Sequence, residues 1–205
     1  SVGSLNNILV AHIEGGEVSG TVDELIRHSV SKLSHIHFAS NKEAAKRLLQ
    51  MGEVKESIFT IGSPDIDIMF SENLPSLEVA KNYYGILFDE YAIVMFHPVT
   101  TEFASMKKYA IDFVDCLLYD NHNYIVIYPN NDLGSQYILD EFERLKNNNR
   151  FRIFPSLRFE YFLTLLKNSQ FIIGNSSAGI REAPYYGIPI INIGTRQQNR
   201  AVHAD

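Results

Sequence analysis

A chain of 205 residues, 45% hydrophobic and 20% charged, is long enough to bury a core as one large domain or two small ones. Its formal charge of -6 and pI near 5.6 argue against a general nucleic-acid surface, so any phosphate-bearing ligand must be met by a local pocket. The single cysteine, Cys116, excludes an internal disulfide and a thiolate metal cluster and points to a reducing cytoplasm. No apolar run approaches the roughly 20 residues of a membrane helix, and Ser1 to Val10 lacks the basic start and apolar core of a signal peptide.

After a short polar lead of Ser1 to Asn7, Ile8 to Ile13 reads as a buried-type strand, so the fold looks entered part-way. Glu14 to Thr21 is a glycine-rich loop, and the spacing predicts a helix over Val22 to Leu33 with Leu25, Ile26, Ser29, Val30 and Leu33 on one face. His35 to Ala39 is a second strand, Asn41 can cap a helix over Lys42 to Met51 that Gly52 ends, and Ile58 to Ile61 is a third strand. Gly62 to Asp65 turns the chain, and the Pro-bearing stretch Asn73 to Ser76 is the most linker-like segment, so a domain boundary is placed near it.

A second alternating series follows. Ala92 to Phe96, Tyr124 to Tyr128 and Phe151 to Phe154 read as strands, separated by helices over Phe103 to Asn121 and Ser135 to Lys146. A helix over Phe159 to Lys167 leads to the strand Phe171 to Ile173. That strand breaks at Gly174 into a polar turn, with a helix from near Gly179 and a further strand before Gly194. The tail to Asp205 follows this strand without a covering helix. Strands alternating with helices imply α/β architecture, with a parallel sheet covered on both faces.

Several strand ends carry polar residues, and in a parallel sheet those ends share one edge. Glu14 leaves the first strand beside two glycines that permit close approach of a ligand; as acid, base or hydroxyl acceptor it serves chemistry, and otherwise it holds the loop. Asp23 lies where helix capping explains it as well as catalysis does, and His28 reads as structural. His97 ends a strand before Pro98, a place that suits a proton carrier or a phosphate donor. Asn130 and Asn131 end the next strand, either as turn chemistry or as ligand amides. Ser176 and Ser177 either cap a helix or donate to an anion, and Glu182 suits ribose hydroxyls, which need acceptors. His35, His37, His122 and His203 have no metal-ligand spacing, and Cys116 reads as core rather than nucleophile.

Taken together, His12-Ile-Glu-Gly-Gly-Glu-Val-Ser-Gly-Thr21, Asp23 to His28, His97-Pro-Val-Thr-Thr101, Gly174-Asn-Ser-Ser177 with Gly179-Ile-Arg-Glu182, and Gly194-Thr-Arg-Gln197 resemble the hydrolysing UDP-N-acetylglucosamine 2-epimerases of sialic-acid synthesis. The resemblance implies two Rossmann-like parallel-sheet domains of glycosyltransferase-B type, with residues 1–70 the latter part of the first and 71–205 most of the second. It implies elimination of UDP from a UDP-sugar and addition of water with no redox cofactor; composition and motifs separately lead to the expectation of a cytoplasmic homo-oligomer with no metal, nucleic-acid or membrane site. By motif, Glu14 and Asp23 would belong to the acid/base group and His97 would act near the leaving diphosphate. Asn130 would touch the nucleotide sugar, Ser176 and Ser177 the phosphate, Glu182 the ribose, and Arg196 would lie close to UDP. The family's first phosphate loop, an early aspartate and the closing helices have no counterpart in these residues. The alternatives are a glycosyltransferase of the same fold and a catalytically incomplete UDP-binding fragment.

Overall fold

The computed structural model describes residues 2–18 and 22–198; Ser19 to Thr21 of the glycine-rich loop and the tail from Asn199, His203 included, lie outside the described residues. The chain divides into two compact units, one running to Ser71 and the other from Glu72 to Gln197.

The first unit begins with a single turn, α1 (Val2–Leu5), and continues through β1 (Ala11–Ile13), α2 (Val22–Lys32), β2 (Ile36–Ala39), α3 (Lys42–Gln50), β3 (Ile58–Thr60) and α4 (Pro64–Met69). Its sheet is parallel in the order β1-β2-β3, with His12 opposite His37 and Phe38 opposite Phe59. The start of α3 has a physical cause in Asn41, whose side chain accepts the Ala44 N–H at 2.8 Å. Past its end Gly52 takes a φ of +86°, a conformation that favours glycine. Ala44 and Leu48 of this helix pack with Ala39 into a small core. The apolar stripe of α2 is not covered by the described chain: Leu25 is 70% and Ile26 56% exposed, with Val30 and Leu33 also open. Amphipathic spacing fixes which residues share a helical face, but only neighbours bury it.

The second unit contains α5 (Leu77–Tyr84), β4 (Ala92–Met95), α6 (Met106–Tyr119), β5 (Tyr124–Ile127), α7 (Ser135–Phe142), β6 (Phe151–Phe154), α8 (Phe159–Lys167), β7 (Ile172–Gly174), α9 (Ala178–Arg181) and β8 (Ile190–Asn192). All pairings are parallel and the order is β6-β5-β4-β7-β8. Alternation along the strands puts Ala92, Val94 and Phe96 with Val126 in a core built against Ala110, Phe113, Val114 and Leu117 of α6 and Ile138 and Phe142 of α7. The Phe96 and Phe113 rings stack there, 4.5 Å between centroids. Ile93 and Ile125, one residue out of phase, are buried towards the opposite face.

Three expectations change. Cys116 is exposed rather than core, because it sits on the outer side of α6 while Phe113, Val114 and Leu117 face inward. Residues 100–105, expected to open a long α-helix in part, form a 3-10 segment kinked at Glu102 before α6 begins. The helix after Gly174 has only four α-helical residues, and Pro184 follows in a 3-10 turn that ends at Gly187 with φ +66°. Ser76, whose side chain accepts the Val79 N–H at 3.3 Å, opens α5, an element the linker-like composition before it had hidden.

Candidate active site

The strand order of the second unit reverses direction at β4: the chain proceeds through β5 and β6 on one side and returns to add β7 and β8 on the other. Ligands of open α/β sheets bind at the carboxyl ends of the strands that flank such a switch. Here these are β4 and β7, which lead directly into His97 and Asn175.

Gly174 makes the close approach of the two strands possible. Its φ is +137°, and a Cβ there would stand 2.1 Å from the Met95 carbonyl oxygen, so a side chain is excluded. The next N–H, of Asn175, donates to that same oxygen at 3.0 Å. The Asn175 side chain, 1% exposed, then grips the main chain of His97 from both sides. The His97 N–H donates to Asn175 Oδ1 at 2.7 Å, and Asn175 Nδ2 donates to the His97 carbonyl at 2.8 Å. The carbonyl of Asn175 accepts from Gln197 Nε2 at 2.7 Å and from Arg196 Nη1 at 3.2 Å. The segment after β8 is thereby tied to the same turn.

The His97 ring is held by a third strand end. The backbone N–H of Asn130 donates to His97 Nδ1 at 3.0 Å. Burial, and then the positive charge of Arg196, push the imidazole pKa down to about 4, against a weaker opposing pull from Asp132. Asn130 Nδ2 donates to Asp132, while Asn130 Oδ1 is sealed from solvent with no protein partner among the described residues. An acceptor in that position calls for a donor from an ordered water or a ligand. Ser176 is buried and its hydroxyl accepts the Ala178 N–H at 3.3 Å, so it does cap the helix start. The Ser177 hydroxyl makes no such bond. Glu182 lies at the junction of α9 and the following 3-10 turn, close enough to Tyr186 to help burial raise the pKa of that phenol.

His97, Asn130, Ser176, Ser177 and Arg196 are therefore gathered at one sheet edge, with Glu182 a turn further along the chain. Glu14 and Asp23 belong to the first unit. Glu14 ends β1 with φ 61°, unusual for a residue with a side chain, and its carboxylate accepts the Ser63 hydroxyl. Asp23 occupies the exposed first turn of α2. Glu17 also holds the loop: its carboxylate accepts from Ser40 and, at 2.7 Å, from Asn41 Nδ2. Arg47 Nη1 fixes the Gly16 carbonyl at 2.8 Å. Asn175, Gln197 and Glu17 were not singled out from the sequence. A small polar residue between Gly174 and Ser176 marks Asn175 as a turn, but only strand pairing puts His97 beside it.

A parallel sheet whose switch point collects an imidazole, amide groups and a guanidinium defines an α/β protein with a candidate ligand site at the carboxyl ends of its central strands. The family model for UDP-N-acetylglucosamine 2-epimerase matches residues 1–205, and the chain belongs to that family. It is 57% identical over 200 residues, 98% of its own length, to a UDP-N-acetylglucosamine 2-epimerase of Neisseria meningitidis serogroup B, of which it covers 53%. It is 36% identical to a hydrolyzing UDP-N,N'-diacetylbacillosamine 2-epimerase of Legionella pneumophila, covering 95% of this chain and 52% of that protein. It is also 36% identical to the polysialic acid biosynthesis protein P7 of Escherichia coli, covering 96% of this chain and 51% of that one. The chain thus spans about half the length of these relatives. The crystal structure of the UDP-GlcNAc 2-epimerase from Neisseria meningitidis bound to UDP-GlcNAc superposes with a TM-score of 0.72 at 18% identity, over 96% of this chain and 56% of the other. The shared fold is α/β with parallel sheets, of glycosyltransferase-B type.

Proposed function

We propose that the protein bearing this chain is a hydrolysing UDP-N-acetylglucosamine 2-epimerase, which eliminates UDP and adds water to give free N-acetylmannosamine for sialic-acid synthesis. The observation that carries this reading is the assembly of His97, Asn130, Asn175 and Arg196 at the switch point of the second unit, in a chain of this family. The hydrolysing branch is supported by the Legionella relative, and the sialic-acid role by the polysialic acid relative.

In the reaction, Glu14 and Asp23 supply the acid/base group that moves protons at C2 and in water addition. The C2 proton passes to a base, the C1–O bond breaks, and its electron pair leaves on the diphosphate oxygen. His97 and Arg196 serve that departing charge, and Ser176 and Ser177 hold phosphate. Glu182 accepts from ribose hydroxyls. Asn130 Oδ1, sealed and in want of a donor, accepts from the nucleotide sugar. No redox step is involved, and a reducing cytoplasm suits a chain with one exposed cysteine.

The test is mass spectrometry of the products made from UDP-N-acetylglucosamine in water enriched in oxygen-18, using a full-length protein that carries this sequence. The expected product is free N-acetylmannosamine with one heavy oxygen, beside UDP. Unlabelled UDP-N-acetylmannosamine would overturn the hydrolysing assignment. Sugar transferred to an added acceptor would establish a glycosyltransferase instead, and product from diacetamido UDP-sugars alone would reassign the substrate.

A further inference from the structure

We propose that His97 acts as a neutral hydrogen-bond donor through Nε2–H, not as a proton donor, because the Asn130 main-chain N–H fixes its tautomer and Asn175 fixes its backbone. Asn175 is thus a positioning residue. The proposal deepens the reading of this site as one that expels UDP, and it rests on that reading for the identity of the anion.

The tautomer follows from donor and acceptor logic. A backbone N–H can only donate, so the 3.0 Å contact from Asn130 requires a lone pair on His97 Nδ1. In a neutral ring the proton is then on Nε2, for which no protein partner is found among the described residues. Protonating Nδ1 would set two N–H groups against each other and forfeit the bond. The charged groups around the ring act in both directions: Arg196 disfavours a second positive charge and Asp132 favours it, with burial the larger influence and also against charge. The backbone of His97 is equally constrained, since the Asn175 amide satisfies both its N–H and its carbonyl. The Asn175 carbonyl is in turn held by Gln197 and Arg196.

The consequence for elimination is that the proton stays on Nε2 throughout. The electron pair of the C1–O bond arrives on the diphosphate oxygen, and Nε2–H strengthens its hydrogen bond to that oxygen as charge develops. UDP leaves as the anion. Preorganised donors of this kind act in the transition state without reorganising.

Two measurements test this. Nitrogen-15 NMR of histidine-labelled 205-residue chain, with the His97 signals identified by their loss in His97→Gln, reads the tautomer directly. The expected result is a neutral ring protonated at Nε2 from pH 5.5 to 8; a ring protonated at Nδ1, or charged at pH 7, would overturn the proposal. In a full-length protein carrying this sequence, His97→Ala should lower kcat by roughly 10²–10³, as for loss of one oxyanion donor. His97→Gln offers a neutral N–H near the same place and should restore at least tenfold of that loss. A Gln variant no better than Ala would refute the donor role. Asn175→Asp keeps the acceptor for the His97 N–H but turns an anion on the His97 carbonyl. Its kcat should fall at least tenfold with KM little changed and thermal unfolding still cooperative. Parental kcat in that variant would remove Asn175 as a positioning residue. Should the full-length protein make no product from any UDP-sugar, the proposed function fails while the NMR experiment on the unaltered chain still decides the tautomer.

Discussion

Replacing Gly174 with alanine should damage both stability and the site, and the magnitude can be worked from geometry. The first contribution is conformational: φ is +137°, and a residue with a Cβ held in so sparsely populated a region costs about 1–3 kcal/mol. The second is steric, because the new Cβ would meet Met95 O at 2.1 Å, Met95 C at 2.6 Å and Phe96 N at 3.2 Å. Those atoms are main chain of the central strand, so no side chain can rotate away. Overpacking of that kind costs about 1–3 kcal/mol. The sum, about 4 kcal/mol, is a large share of the roughly 5–15 kcal/mol that holds a domain folded. Relief by separating β4 from β7 would break the Asn175 N–H bond to Met95 O and pull the amide off His97. The assay is urea unfolding followed by tyrosine fluorescence and circular dichroism, since the chain has no tryptophan. Gly187→Ala is the control: its φ is +66° but nothing lies within 4 Å of the added carbon, so only about 1 kcal/mol is expected. A Gly174→Ala variant no less stable than Gly187→Ala would refute the argument.

Glu14 adopts φ 61°, so Glu14→Gly should be about 1 kcal/mol more stable than Glu14→Ala, both having lost the Ser63 contact; equal urea midpoints would show that the backbone there is unstrained. The Arg150 guanidinium donates to the carbonyls of Leu118 in the last turn of α6 and of Asp120 and His122 beyond it, and lies over the Phe151 ring. Arg150→Ala should therefore cost about 2 kcal/mol, and a thermal midpoint unchanged within a degree would make that cluster ornamental. The depressed His97 pKa, about 4 folded against about 6.5 unfolded, means the unfolded chain binds more protons between those values. This contribution is complete above about pH 6.5 and is lost as pH falls towards 4, up to roughly 3 kcal/mol. His97→Gln should flatten that limb of the stability profile relative to the parent, and parallel profiles would contradict the burial of the ring.

The eight strands among the described residues were legible because each is a short apolar run bounded by turn residues, and their alternation with helices already specified parallel pairing. Lengths were less legible: Ile8 to Leu9 reads as strand, yet pairing with β2 begins only at Ala11. Helix ends set by a specific bond, such as Asn41, can be read off; the 3-10 course of Thr100 to Ser105 cannot, since it depends on where Val99 and Met106 pack. In the site, His97, Asn130, Ser176 and Ser177 each carry polar chemistry just past a strand end and could be picked out one by one, whereas Arg196 came only with the family resemblance. Asn175 was missed because its role is a relation between two residues 78 apart, visible only when β4 and β7 are adjacent. Cys116 shows the converse failure, because an apolar neighbourhood in sequence did not say which side of α6 it occupies.

The order β6-β5-β4-β7-β8 also sets a sequence of events for a chain emerging from a ribosome. β4, β5 and β6 can pair once residue 154 is free, and until β7 arrives the strand destined for the centre is an edge. That strand, Ala92-Ile-Val-Met95, carries no charge and no proline to discourage pairing with another molecule. Its protection comes from residues 172–174, and the lock on Asn175 comes later still, from Arg196 and Gln197. Closing contacts of such long span is slow compared with local helix formation. The strand leading to His97 is therefore the part of the nascent unit most open to aggregation, and the unit gains bulk well before it gains a competent site.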